Sequence, residues 1–152
     1  MLKLMYVFGA QDSTIKIDPS LITGDYDTDR SNSTLQALSA GKGVTIDTDG
    51  YVTLPSAGEA IEGVIINDVV GYSFENAPAF ASGICPILSG GGIVETDALA
   101  SDTSGVAVSA TTTLYIDADG NFTKTDPGSG IPVAKVRKPK ADTDTSVVIR
   151  LY

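Results

Sequence analysis

One stretch of this chain is written twice. Val44 to Leu54 reads VTIDTDGYVTL, and seventy residues later Leu114 to Lys124 reads LYIDADGNFTK. Ile46 falls on Ile116, Asp47 on Asp117, Asp49 on Asp119, Gly50 on Gly120 and Thr53 on Thr123. The match continues upstream, where Leu38-Ser39-Ala40 lies on Val108-Ser109-Ala110, and downstream, where Gly58 meets Gly128 and Ile61 meets Ile131. Each copy reads as two β-branched or aromatic runs joined by Asp-x-Asp-Gly. Asp suits the first position of a type I turn, and Gly suits the left-handed residue of a three-residue hairpin loop. The pattern predicts positive φ at Gly50 and Gly120. It also predicts a β-domain made of two related halves, with hairpin copies near 38–66 and 108–136.

The composition agrees with that reading. Asp outnumbers Glu 15 to 4, and 16 Gly and 7 Pro punctuate 152 residues. Asp favours turns where Glu favours helix interiors, so the bias points to short strands and turns. The expected fold is mainly β: a compact β-barrel or sandwich of short strands with two related hairpin units and little helix. A net charge of −9 argues against a nucleic-acid partner bound by phosphate neutralisation. With Cys85 as the sole cysteine there is no intrachain disulfide framework. The apolar opening MLKLMYVF is too short to span a bilayer, so no membrane partner is expected.

In chain order, residues 1–17 read as an N-terminal strand or arm and 18–152 as one β-rich domain. Leu2, Leu4, Tyr6 and Phe8 alternate with Lys3, Met5 and Val7, as a strand does. Either this run is a free arm that pairs with a neighbouring protomer or capsid strand, or it is an edge strand of its own domain. Ile15 and Ile17 alternate before Pro19, and a polar loop fills 18–34. A short helix is expected next, capped by Ser31 or Ser33, with Leu35 and Leu38 inward and Gly41 as its stop. IEGVIINDVVGYSF holds two buried strands around Asn67-Asp68. Gly83 to Leu88 is a strand that Pro86 places at an edge or a bulge. Val147, Ile149 and Leu151 share one face of a closing strand.

Candidates for chemistry are few. The Asp pairs 47/49 and 117/119 lack the Gly and Glu that a calcium loop needs at its sixth and twelfth positions, and so does Asp25 to Asp29. With no histidine, the commonest general base and metal ligand is missing. Cys85, among Ile84, Pro86 and Ile87, reads as a packed core residue. Gly90-Gly91-Gly92 is not followed by the Lys-Ser/Thr of a phosphate loop. No catalytic, cofactor or metal residue is therefore assigned, and the chain is read as a non-enzyme. One charge feature stands out: Lys135, Arg137, Lys138 and Lys140 gather four of the ten basic residues into six positions. They are either a solvated loop or a docking patch for an acidic partner.

The second half also carries a resemblance. Gly105-Val-Ala-Val, Leu114-Tyr-Ile-Asp-Ala-Asp-Gly, Ile131-Pro-Val-Ala-Lys-Val and Val147-Val-Ile-Arg-Leu together resemble the capsid decoration (cement) proteins of tailed bacteriophages. Pro132 stands where those proteins carry a small glycine. The resemblance implies a non-enzymatic virion protein, commonly a homotrimer. Such a protein is made in the host bacterial cytoplasm, sits on the capsid exterior with the major capsid protein lattice as its partner, and stabilises the head. On that reading the partner-binding residues are Leu2, Leu4, Tyr6 and Phe8 with Lys135, Arg137, Lys138 and Lys140. Two rival classes stay open: a head-fibre or carbohydrate-binding adhesin module, and a glycosidase working by carboxylates alone.

Overall fold

The computed structural model describes residues 1–7, 10–12, 15–21, 36–66, 69–70, 85–128 and 130–152. The expectations for Phe8, Asp25 to Asp29, the caps Ser31 and Ser33, Leu35, Asn67-Asp68 and Gly83-Ile84 lie outside them. The protein is mainly β, and its strands form antiparallel sheets packed as a sandwich, not a closed barrel. The strands are β1 (Leu2–Val7), β2 (Ala10–Asp12), β3 (Gln36–Leu38), β4 (Gly43–Ile46), β5 (Val52–Thr53), β6 (Gly63–Ile65), β7 (Val69–Val70), β8 (Ile87–Ser89), β9 (Gly92–Thr96), β10 (Thr113–Ile116), β11 (Phe122–Thr123), β12 (Ala134–Val136) and β13 (Val147–Leu151). A 3-10 turn, Pro19–Leu21, starts at Asp18, whose carboxylate accepts the Ser20 N–H at 2.8 Å.

Two sheets carry the architecture, and they are copies of each other. One runs β2-β8-β6-β4-β5; the other runs β9-β13-β12-β10-β11, with β1 added outside β9. Their registers agree pair for pair. Thr45 faces Thr53 as Tyr115 faces Thr123. Val64 faces Leu88 as Lys135 faces Arg150. Ala10 faces Ser89 as Gly92 faces Leu151. The bridges outside these two sheets repeat as well: Ile17 meets Val52 in parallel as Leu99 meets Phe122, and the β3–β7 pair Leu38–Val69 has its match in the bridge Val108–Lys140. The duplication thus begins at β2, well upstream of the hairpins.

The core repeats with the ladders. A smaller apolar cluster holds Ile17, Leu38, Val44, Val52, Ile65, Cys85 and Ile87. Each has a counterpart in or against the larger cluster, in the order Leu99, Val108, Leu114, Phe122, Val136, Val147 and Ile149. The larger cluster also takes Val64 and Leu88, which point off the opposite face of β6 and β8. The first sheet is therefore buried on both faces at its centre, and its far face is the floor on which the second unit packs. Each fully buried aliphatic side chain of this kind contributes about 1.5–3 kcal/mol.

Three expectations are corrected. Gln36 to Leu38 do not form the end of a helix; they form β3, because Leu38 is buried in the smaller cluster and pairs with Val69. Gly41, expected as a helix stop, instead sits at φ +94 where its added Cβ would strike the Thr96 hydroxyl. Pro86 does not put its strand at an edge, since β8 lies between β2 and β6. The proline falls just before the first strand residue, so its missing N–H costs no ladder bond, while its carbonyl accepts from Ile66 at 2.9 Å.

Candidate docking surface

The two Asp-x-Asp-Gly turns are built alike. Asp47 Oδ1 accepts the N–H groups of Asp49 and Tyr51 at 2.9 and 2.8 Å, and Asp117 Oδ1 accepts those of Asp119 and Asn121 at the same distances. Gly50 and Gly120 hold φ of +84 and +76. The first Asp of each turn thus folds the loop. These carboxylates stand on hairpin tips, and among the described residues no group of three or more potential ligands could hold a metal ion.

Cys85 is wholly buried, and burial pushes its thiol up to about 12. A thiol held that far above neutrality is no nucleophile. Among the described residues, Asp102 is the other titratable group with a shifted pKa. Desolvation raises it, but hydrogen bonds from Thr125, Thr123 and Thr103 outweigh that and leave it below the usual carboxylate range. The arrangement ties the 101–105 turn to β11 and the two residues after it, which is a structural task.

The basic residues are different. β12 and β13 alternate strictly, with Ala134, Val136, Val147, Ile149 and Leu151 inward. Lys135 and Arg150 are therefore thrown onto the outer face, directly opposite each other. Arg137 follows two residues on with its N–H bound to Val148 O, and Lys138 is exposed beside it. Among the described residues, none of Lys135, Arg137, Lys138 and Arg150 has an acidic partner within ion-pair distance. Like charges directly opposite on a ladder are destabilising. A chain of net charge −9 has abundant acid to neutralise them and leaves them bare. Immediately beyond, Ile131 and Tyr152 are 53% and 60% exposed around an open depression of about 180 Å³. Unpaired cations on an outer face favour an oppositely charged protein surface through electrostatic complementarity.

Lys140 does not belong to this surface. It is buried, and its ammonium donates to the Val106 and Ala141 carbonyls at 3.1 and 3.2 Å. Its long stem packs while its charge is spent on backbone, so it anchors the loop. The N-terminal run lies elsewhere on the same sheet. Leu4 and Tyr6 pair through their backbones with Val94 and Ile93, and Leu2 packs against the larger cluster. The run is thus an edge strand of its own chain, separated from β12 by β9 and β13, and not brought together with the basic loop. Lys3 of that strand is ion-paired to Glu95 at 3.8 Å.

Arg150 was not among the residues singled out from sequence. The signal was available in VVIRL, where three inward apolar residues force the fourth outward. Only the β12–β13 register, however, sets it beside Lys135. Lys124 is a second omission: it occupies the repeat position of Leu54, a charge where the first copy carries an apolar side chain. No protein-family model matches this chain, and no curated protein sequence matches it.

Proposed function

We propose that this protein is a non-enzymatic structural component of a bacteriophage virion, one that assembles on the outside of the capsid and stabilises the shell by protein–protein contacts. The observation that carries the reading is the unneutralised cluster Lys135–Arg150–Arg137 on an outer sheet face of an acidic protein. A bare cationic face in such a chain is explained by an acidic protein surface that covers it, and serves as one of its docking surfaces. The sequence resemblance of the last fifty residues to decoration proteins supplies the capsid as the setting. In that setting the protein acts by mass action: it binds the assembled shell and not loose subunits, and so shifts the equilibrium toward the shell. Several weak contacts per oligomer add through avidity.

The test is cosedimentation of the purified protein with assembled heads that lack it, followed by thermal disruption of the decorated heads. Saturable binding that weakens as salt rises, with heads that survive to higher temperature, is the expected result. Protein that stays in the supernatant at every salt concentration would overturn the reading.

A further inference from the structure

The two units of the chain meet through different faces. The first offers Val64, Leu88 and Ile61 from one side of its sheet; the second offers its inner face and the Asp117–Gly120 turn. That turn is seated on the first unit: Gly43 N–H donates to Gly120 O at 2.8 Å, Lys42 Nζ donates to Asp119 O at 2.8 Å, and Leu54 lies against Gly120. Such an interface is heterologous and leaves one of each contact surface unused. At the first unit's end, the Asp47–Gly50 turn stands exposed with open space around Gly50. At the second unit's end, the equivalents of Val64, Leu88 and Leu54 are Lys135, Arg150 and Lys124, all exposed.

We propose that the cationic outer face of the second unit receives the first unit of another copy of this chain, with the Asp47–Gly50 turn of the incoming copy set among Lys124, Lys135 and Arg150. The inference rests on the reading of that face as a protein-docking surface, and names its occupant. Two observations select a second copy. The intramolecular interface already shows how such a turn sits on such a face. At the unused ends, the face positions that are apolar within the chain, Val64, Leu88 and Leu54, have become cationic, and the free turn brings Asp47 and Asp49 to meet them. Between copies, such a contact is adjustable by salt, where within the chain it is permanent. If the rotation between successive copies closes, the product is a ring; if not, it is a filament.

The experiment is sedimentation equilibrium on the full chain over a range of protein and salt concentrations. The wild type should gain mass with concentration and lose it as salt screens the contact. Arg150→Glu and Asp49→Lys should each weaken association by about tenfold or more, the scale of one interfacial charge pair. Both sites are exposed, so the thermal melts should match the wild type; Lys135→Gln replaces the face variant, and Asp49→Asn the turn variant, should either misfold. Mixing the two variants should restore association, since one keeps a sound face, the other a sound turn, and the two reversed charges attract each other at the remaining contact. A wild type that stays monomeric at every concentration would overturn the inference, as would variants that associate normally or a mixture that does not complement. Monomeric protein that still binds heads sinks this inference and leaves the capsid reading standing. Head-to-tail association without head binding does the reverse.

Discussion

Gly50 and Gly120 occupy the same place in two copies of one turn, yet they should respond very differently to a β-carbon. At Gly50, alanine must adopt φ near +84 in open space. The cost is that of the left-handed region, about 1–2 kcal/mol. At Gly120, φ is +76, but the new Cβ would stand 2.6 Å from the Gly43 carbonyl oxygen and 3.2 Å from Leu54 Cδ2. Gly43 cannot retreat freely, because its own N–H is bound to Gly120 O at 2.8 Å. Relieving the clash gives up that bond, at about 1 kcal/mol. It also displaces β4 from the second unit, an overpacking cost of about 1–3 kcal/mol. Gly120→Ala should therefore cost about 3–6 kcal/mol against about 1–2 kcal/mol for Gly50→Ala. Urea denaturation measures both, and the melting points should separate in proportion, about 2–4 °C per kcal/mol for a chain of this size. Asparagine tolerates left-handed backbone. Gly50→Asn should thus recover most of the loss, while Gly120→Asn should not. Equal costs at the two sites would refute the claim that the second turn is clamped between the units.

Removing residues 1–7 should lower the melting point of the whole protein, because β1 covers the edge of β9 and Leu2 packs on the larger cluster; an unchanged melt would show that the strand contributes nothing to the fold. Cys85 should resist a thiol reagent at pH 8 until denaturant is added, and Cys85→Val should cost less than about 1.5 kcal/mol, as volume-conserving core swaps do, since the second unit holds Val147 there. Fast labelling of the native protein would contradict its burial. For Asp102, the hydrogen bonds favour the charged form in the folded state, so its stabilisation is complete above the unfolded carboxylate pKa, about 3.9. That stabilisation fades as pH falls through the lower folded value. Asp102→Asn should flatten the acid limb of stability against pH, and an unaltered limb would remove the threonine cluster from that role.

The hairpin chemistry belonged to the sequence alone. Asp-x-Asp-Gly between β-formers specifies a turn through local hydrogen bonds and one left-handed glycine, so both turns and their φ signs were legible without tertiary information. Alternation likewise settled which way Val147, Ile149 and Leu151 face. The reach of the duplication was not legible. Equivalent residues lie 82 apart at Ala10 and Gly92, 70 apart in the hairpins and 62 apart at Leu88 and Arg150, so no single offset aligns the copies. The first copy is about twelve residues longer than the second between Ile17 and Leu38 (Leu99 and Val108 in the second), and about nine longer between Val69 and Cys85 (Lys140 and Val147). β3 was misread for a related reason: Leu38 obeys a pairing with Val69, 31 residues away, and long-range pairing overrides local propensity. The candidate surface divided the same way. A basic run is visible in any listing of residues, but its meaning depends on burial and register, which are properties of the packed sheet. Tertiary structure withdrew Lys140 by burying it against carbonyls and added Arg150 by setting it across the ladder from Lys135. It also left the second unit's outer face bare where the first unit's equivalent face is covered, because a stack of two has only one interface to bury.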